Sequence, residues 1–229
     1  MSLKGILFDF NGTLVFDSDM HIEALRRVVP EYGVRAPTKA EMSEKIFGIT
    51  NKKFVSEWID PNCTEELVQD FVKRKENEYI NVCLECGSGY RLIDGATEFL
   101  DALKENNIPR CIATSSERIN VDFYIKQLHL EKWFTMDNIV YENGSFRGKP
   151  EPDIYELAAK RIGLSPSECL VFEDGNVGIR AANAAGAGAV IAVYEEGLPS
   201  PITPDVKIDE IHHNYLEWKN ILTKYGFMR

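Results

Sequence analysis

Positive charge is in short supply: 26 Lys and Arg stand against 36 Asp and Glu, a formal net charge of -10. A surface that grips a phosphodiester backbone needs a basic stripe, and none runs through the sequence, so no nucleic-acid partner is expected. A small anion is still admissible, captured by local cations or a metal ion working against the overall field. Long apolar runs are also missing. Nothing approaches the roughly 20 residues of a membrane span, and no charged region followed by an apolar core opens the chain, which sets the expectation of a cytoplasmic protein with no membrane partner. Cysteines number only five (Cys63, Cys83, Cys86, Cys111 and Cys169), an odd count that suits reduced thiols better than a disulfide framework. Cys83 and Cys86 have metal-knuckle spacing but lack a second pair or a nearby histidine, so they read as ordinary residues near a helix end. His129, His212 and His213 have no evident partners in the sequence and are assigned to structure or surface. Internal repeats and low-complexity tracts are absent.

What remains is a chain of 229 residues, 44% of them hydrophobic, enough for one core domain carrying a smaller insertion. Short apolar runs (Leu3 to Phe8, Pro109 to Ala113, Cys169 to Phe172, Ala187 to Val193) alternate with helical patterns, the signature of a parallel sheet covered on both faces. Ile154, Leu157, Ala158 and Ile162 recur at helical spacing, with Gly163 placed to stop the helix. Ser165-Pro166-Ser167-Glu168 reads as a capping box feeding the strand at Cys169. Between the first two strands lies a segment of about 75 residues, too long for a simple connection. Its patterns are helical: Ala24, Leu25, Val28 and Val29 mark one face, and Leu67, Val68, Phe71 and Val72 another behind a Thr64 cap. The expected fold is α/β, a doubly wound Rossmann-like parallel sheet over residues 1–15 and 91–229 with an inserted α-helical cap over residues 16–90. A monomer or weak dimer is expected.

In an open parallel sheet a ligand crevice forms at the carboxyl ends of the strands. The first strand ends in Phe8-Asp9-Phe10-Asn11-Gly12-Thr13, the second in Thr114-Ser115-Ser116, and the run from Cys169 closes in Glu173-Asp174-Gly175. Lys149 lies between, in Gly148-Lys149-Pro150-Glu151-Pro152-Asp153. Singly these are a turn-forming aspartate, a helix cap, an acidic loop pair and a surface lysine. Together, in this order, they resemble the four motifs of the haloacid dehalogenase-like superfamily over nearly the whole chain, most closely its β-phosphoglucomutase-like members and their phosphatase relatives.

The resemblance implies phosphoryl transfer, which is chiefly a problem of holding charge in line. Asp9 is the implied nucleophile, forming an aspartyl-phosphate. Magnesium is the implied cofactor, held by Asp9, the backbone carbonyl of Asn11, Asp174 and, directly or through water, Glu173. Thr114 and the Ser115 amide, with Ser116 beside them, would receive phosphoryl oxygens while Lys149 neutralises charge.

Asn11 departs from the family pattern, in which that position is an aspartate serving as general acid and base. An amide cannot exchange a proton in that role, help that is typically worth about 10²–10⁴ in rate. Three explanations stand open: Asp17, Asp19 or His21 substitutes; the substrate has a good leaving group, as an acyl phosphate does; or the site binds phosphorylated ligands with little turnover. Asn11-Gly12 is also a deamidation-prone pair, and slow conversion to aspartate is expected to create trace activity in aged protein. In the insertion, Phe47-Gly48-Ile49-Thr50-Asn51-Lys52-Lys53 resembles the substrate loop of the mutase branch, with Gly48 in place. Asn51 stands where that branch has a phosphate-binding arginine, and Lys52, Lys53, Arg74 and Lys75 are candidates to compensate. Losing the arginine counts against a mutase. Hydrolysis of a small phosphorylated metabolite of the sugar-phosphate class therefore ranks first, β-phosphoglucomutase-like isomerisation second and a weakly catalytic phospho-ligand-binding protein third.

Overall fold

The computed structural model describes residues 3–38, 41 and 50–228. The chain divides into two compact units, Met1–Phe16 with Arg91–Arg229, and Asp17–Tyr90. Among the described residues of the larger unit, six parallel strands form one sheet: β1 (Gly5–Phe8), β2 (Arg110–Glu117), β3 (Ile139–Glu142), β4 (Cys169–Glu173), β5 (Ala189–Val193) and β6 (Glu210–His212). Their order is β3-β2-β1-β4-β5-β6. All residues of β1, β4 and β5 are buried, which is why these segments are apolar without alternation: a strand covered on both faces has no side for water. In the register, Leu7 lies opposite both Cys111 and Val171, and Phe8 opposite both Ile112 and Phe172. Phe8 stacks on Phe172 at 5.1 Å between ring centroids, and Phe99 and Tyr215 close an aromatic cluster around them.

From β1 the chain works outward through β2 to β3 and then returns to β4 on the other side of β1. The direction of winding therefore reverses between β1 and β4, the topological switch point where a doubly wound sheet opens a crevice at the carboxyl ends of its strands.

The sheet exceeds the four strands legible in the sequence. β3 is a four-residue strand in which only Ile139 and Val140 are buried, too short a run to stand out. β6 sits at the edge, with Ile211 exposed between Glu210 and His212, so it carries no apolar run at all. β2 extends past Ala113 through Thr114, Ser115 and Ser116 to Glu117, and there its register against β3 shifts: Thr114 pairs with Tyr141 but Glu117 with Glu142. Such a bulge bends the strand and re-aims the residues within it.

Local signals elsewhere follow the expected chemistry. The helix Asp153–Arg161 buries Ile154 and Ala158 and is followed by Gly163 at φ +73°. The capping box at Ser165 and Glu168 forms, with the Ser165 amide donating to the Glu168 carboxylate at 3.0 Å. The small-residue helix Asn176–Ala184 buries Gly178, Ala181 and Ala182. The five cysteines are free thiols, Cys83 buried and Cys86 exposed at the end of one helix.

The smaller unit is helical where described: Ser18–Val28, Asn51–Phe54 running into a wide turn over Val55–Ile59, and the long helix Glu65–Cys86. Its core joins Ile22, Leu25, Val28 and Val29 to Phe54, Val55, Val68 and Phe71. The long helix starts where Thr64 accepts the Leu67 amide on its side-chain oxygen. No helix among the described residues is long and apolar enough to cross a membrane. Removing the Thr64 hydroxyl leaves an amide of the first turn without its acceptor, so Thr64→Ala is expected to destabilise this unit by about 1 kcal/mol in chemical denaturation.

Candidate active site

β1 delivers its carboxylate through one more ladder bond. The Asp9 amide donates to the Phe172 carbonyl at 2.9 Å, so the chain is still paired with β4 when it reaches Asp9. Beyond it the backbone turns sharply, Leu14 donating back to the Phe10 carbonyl, with Gly12 at φ +78° and its amide bound to the Val15 carbonyl. Glycine is required there twice over: the left-handed backbone suits no side chain, and a Cβ would stand 2.2 Å from the Asp174 carboxylate.

The Asp9 carboxylate is held at both oxygens. Lys149 Nζ donates to Oδ1 at 2.6 Å and the Thr13 hydroxyl to Oδ2 at 3.2 Å. Thr13 is itself anchored, its carbonyl accepting from the Tyr215 hydroxyl. Lys149 donates equally to Glu173 Oε1, at 2.6 Å, and its ammonium lies over the Tyr155 ring. The Tyr155 hydroxyl donates to the same Glu173 oxygen at 2.5 Å, while Glu173 Oε2 accepts the Asp174 amide. Burial holds the Tyr155 phenol well above its ordinary range, so it serves Glu173 as a donor.

Three carboxylates, from Asp9, Glu173 and Asp174, bring one oxygen each within 4.8 Å of one another. Lys149 is the cation among them. Burial pulls its ammonium down, yet the Asp9 and Glu173 charges prevail and hold it above the ordinary lysine value. The Asp9 carboxyl is pushed up to about 7 by burial, with Lys149 opposing and Glu173 adding to the shift. More negative charge is gathered here than one lysine can balance, and all of it is on hard oxygen donors. That donor set fits a divalent cation such as magnesium.

The remaining core residues form a second tier. Thr114 is buried within β2, where the register shift begins, and its hydroxyl oxygen accepts the Ser116 amide across the bulge. Ser115 is exposed, whereas Ser116 donates its hydroxyl to the Asn11 side-chain oxygen Oδ1 at 2.8 Å. The Asn11 amide nitrogen donates to the Tyr124 hydroxyl at 3.0 Å. The helix that follows β2 begins at Arg118.

Of the residues expected in the insertion, His21 stacks on Tyr79 with centroids 4.0 Å apart, and its Nε2 is 3.6 Å from Asp17. Tyr79 also donates to Asp17. Burial keeps the His21 imidazole below its ordinary value although Asp17 pulls the other way. Asn51 begins the helix capped by Thr50, Lys52 pairs with Glu65 at 3.5 Å, and Gly48 lies outside the described residues.

The sequence reading missed Tyr155, Tyr124 and Gly178, and it had Thr13 in the Asp9 motif without a role. The tyrosines look like core aromatics in one dimension, and nothing near them says which polar group their hydroxyls meet. Gly178 is masked by its small-residue helix. A Cβ there would fall 1.7 Å from Glu173 Oε1, so the helix admits the carboxylate only because that position has no side chain. Moving Glu173 aside would cost its bonds to Lys149 and Tyr155. Gly178→Ala is expected to lower stability by about 1–3 kcal/mol. In a double-mutant cycle followed by denaturation, Tyr155→Phe should then add little to it, because the carboxylate that Tyr155 serves has already left.

Comparison with known proteins places these features in context. The family described as haloacid dehalogenase-like hydrolase matches residues 3–186. The phosphorylated carbohydrates phosphatase of Thermotoga maritima is 28% identical over 191 residues, spanning 83% of this chain and 85% of that protein. The fructose-1-phosphate phosphatase of Escherichia coli is 27% identical over 186 residues, 81% of this chain and 94% of the relative. Among solved structures, a HAD hydrolase of family IA, variant 3, from Entamoeba histolytica superposes with a TM-score of 0.88 at 33% identity, covering 98% of this chain and all of the other.

Proposed function

This chain belongs to the haloacid dehalogenase-like hydrolase family, and we propose that it is a magnesium-dependent phosphatase acting on a small phosphorylated metabolite of the sugar-phosphate class, with Asp9 as nucleophile. The observation that carries this reading is a single one: a buried aspartate at the switch point of the sheet, fixed by Lys149 and Thr13, with Glu173 and Asp174 beside it. The substrate class rests on the relatives, which include a phosphorylated carbohydrates phosphatase and a fructose-1-phosphate phosphatase.

Lys149 and Thr13 set the plane of the Asp9 carboxylate, which removes the rotational freedom an attacking oxygen would otherwise lose in the transition state. An Asp9 oxygen attacks phosphorus, the bond from phosphorus to the ester oxygen breaks, and an aspartyl-phosphate remains. Thr114 and the Ser115 amide receive the phosphoryl oxygens, and Lys149 balances the charge that Asp9 and the phosphoryl group share. Water then displaces Asp9 from phosphorus and inorganic phosphate leaves. Asp9, Asp174, the Asn11 backbone carbonyl and Glu173 are the groups assigned to magnesium, which supplies Lewis-acid stabilisation of the phosphoryl charge when bound. Glu173, already tied to Lys149 and Tyr155, also fixes the lysine. The choice of metabolite is assigned to the helical unit, in which His21, Asn51 and Lys52 lie.

Phosphate release should be measured over a panel of sugar phosphates, with magnesium and with chelator. Turnover is expected only with the metal. Asp9→Asn should abolish it and Lys149→Ala should reduce it severely, whereas magnesium-independent turnover, or activity surviving in Asp9→Asn, would refute the assignment.

A further inference from the structure

The Asn11 side chain is part of a closed ring. Its Nδ2 donates to the Tyr124 hydroxyl at 3.0 Å, the Ser116 hydroxyl donates to its Oδ1 at 2.8 Å, and the two hydroxyl oxygens are 3.1 Å apart. One assignment of protons satisfies all three contacts: amide N–H to tyrosine oxygen, tyrosine O–H to serine oxygen, serine O–H to amide carbonyl. Each hydroxyl then gives once and takes once. An amide closes the ring in this way, whereas an ionised carboxylate would only accept, taking both hydroxyls as donors. Chains of this kind polarise each link and stiffen the whole.

Both hydroxyls are themselves fixed. Tyr124 is buried, and its ring stacks on Phe10 at 4.2 Å with 16° between planes. Ser116 sits on the bulge of β2 with its amide bound to Thr114. Asn11 therefore does not stand merely where an acid is missing. Two fixed hydroxyls hold its amide in place.

We propose that Tyr124 and Ser116 are positioning residues that hold Asn11 as a fixed amide, and that this restricts the enzyme to phosphorylated substrates whose departing oxygen leaves without being protonated. The inference rests on the phosphatase reading above. Acyl phosphates and phosphates on the anomeric oxygen of a sugar fit the restriction, because a carboxylate or a hemiacetal oxyanion is a better leaving group than a primary alkoxide. The steps balance without an acid at position 11. Asp9 takes the phosphoryl group and the leaving oxygen departs with the bonding pair, gaining its proton from bulk water. Water then attacks phosphorus, the bond from phosphorus to the Asp9 oxygen breaks, Asp9 departs as a carboxylate, and both water protons leave with the phosphate, one of them passing to solvent at neutral pH. Position 11 would contribute about 10²–10⁴ in rate to a poor leaving group as an acid, and contributes none of that as an amide.

The ring has a second, chemically separate consequence. Deamidation of Asn11 requires the Gly12 nitrogen to attack the side-chain carbonyl carbon with loss of ammonia, after which water opens the succinimide to aspartate or isoaspartate. Here the side chain is clasped by two hydroxyls, and the Gly12 N–H is bound to Val15 at 2.7 Å. The conversion expected from the sequence is thereby opposed by the fold.

Two measurements test this together. Initial rates of phosphate release are compared for acetyl phosphate, glucose 1-phosphate, 4-nitrophenyl phosphate and glucose 6-phosphate, using the native protein and Asn11→Asp. The native enzyme should favour the first three over glucose 6-phosphate by about 10² or more in kcat/KM, and Asn11→Asp should narrow that gap by raising the poor substrate. In parallel, deamidation at position 11 is followed by intact mass and peptide mapping in aged native protein, Tyr124→Phe and Ser116→Ala, each first checked for native circular dichroism. Both variants should deamidate several-fold faster than the native chain, and their activity on glucose 6-phosphate should rise with age. Turnover that ignores the leaving group overturns the restriction while leaving the phosphatase intact. Unchanged deamidation in both folded variants overturns the positioning role. Absence of turnover on all four compounds overturns the phosphatase reading and the restriction with it.

Discussion

The ammonium of Lys149, buried between Asp9 and Glu173 at 2.6 Å from each, is the contact on which the rest of the site depends. A carboxylate taken out of water costs several kcal/mol unless it is paired and hydrogen-bonded. Here three approach one another at the end of a fully buried pair of strands. One lysine, the Thr13 and Tyr155 hydroxyls and the Asp174 amide offset part of that penalty. The part of the desolvation that is not offset is written in the Asp9 carboxyl, raised to about 7 by burial despite its lysine. Stability alone would favour fewer carboxylates, and strongly perturbed carboxylates of this kind concentrate at functional sites.

Holding such a cluster requires the backbone to come unusually close. Gly12 passes against Asp174 and Gly178 against Glu173, at distances where a methyl group would collide with the carboxylate. The bulge between Thr114 and Glu117 performs a related task on the other side of β1, turning Ser116 toward Asn11 instead of leaving it in the ladder to β3. Each device disturbs a regular element at its end, where few ladder bonds are lost. The buried centres of β1, β4 and β5 remain regular and hold the disturbed ends in place.

Asn11 shows how one substitution acquires meaning from its neighbours. An amide in place of an acid reads from the sequence as a deficit, with three competing explanations. With Tyr124 and Ser116 bonded to it, the same amide is an integral part of a ring. The helical unit carries its own buried polar cluster, where Asp17 meets both His21 and Tyr79. Asp17 and His21, candidates to replace the acid that the sequence favours more as hinge and helix-cap residues, each have a structural partner within their own unit.

The sequence by itself determined the parallel α/β core and the residues at its strand ends. Strands buried on both faces must be continuously apolar, and charged residues that interrupt them can only follow at their ends. Asp9 and Glu173-Asp174 were legible for that reason, and the Thr64 cap and the Ser165 capping box because they are bonds between near neighbours in the chain. β3 and β6 escaped because one is short and the other lies at a partly exposed edge, where burial no longer imposes an apolar run. Only the tertiary structure decided that Lys149 bridges Asp9 and Glu173 across 140 and 24 residues of chain, that Tyr155 and Tyr124 turn their hydroxyls to Glu173 and Asn11, and that Gly178 makes room for a carboxylate. Local periodicity encodes which face of an element is buried. It carries no record of which distant group that face will meet, because those meetings are set by the winding of the sheet around β1.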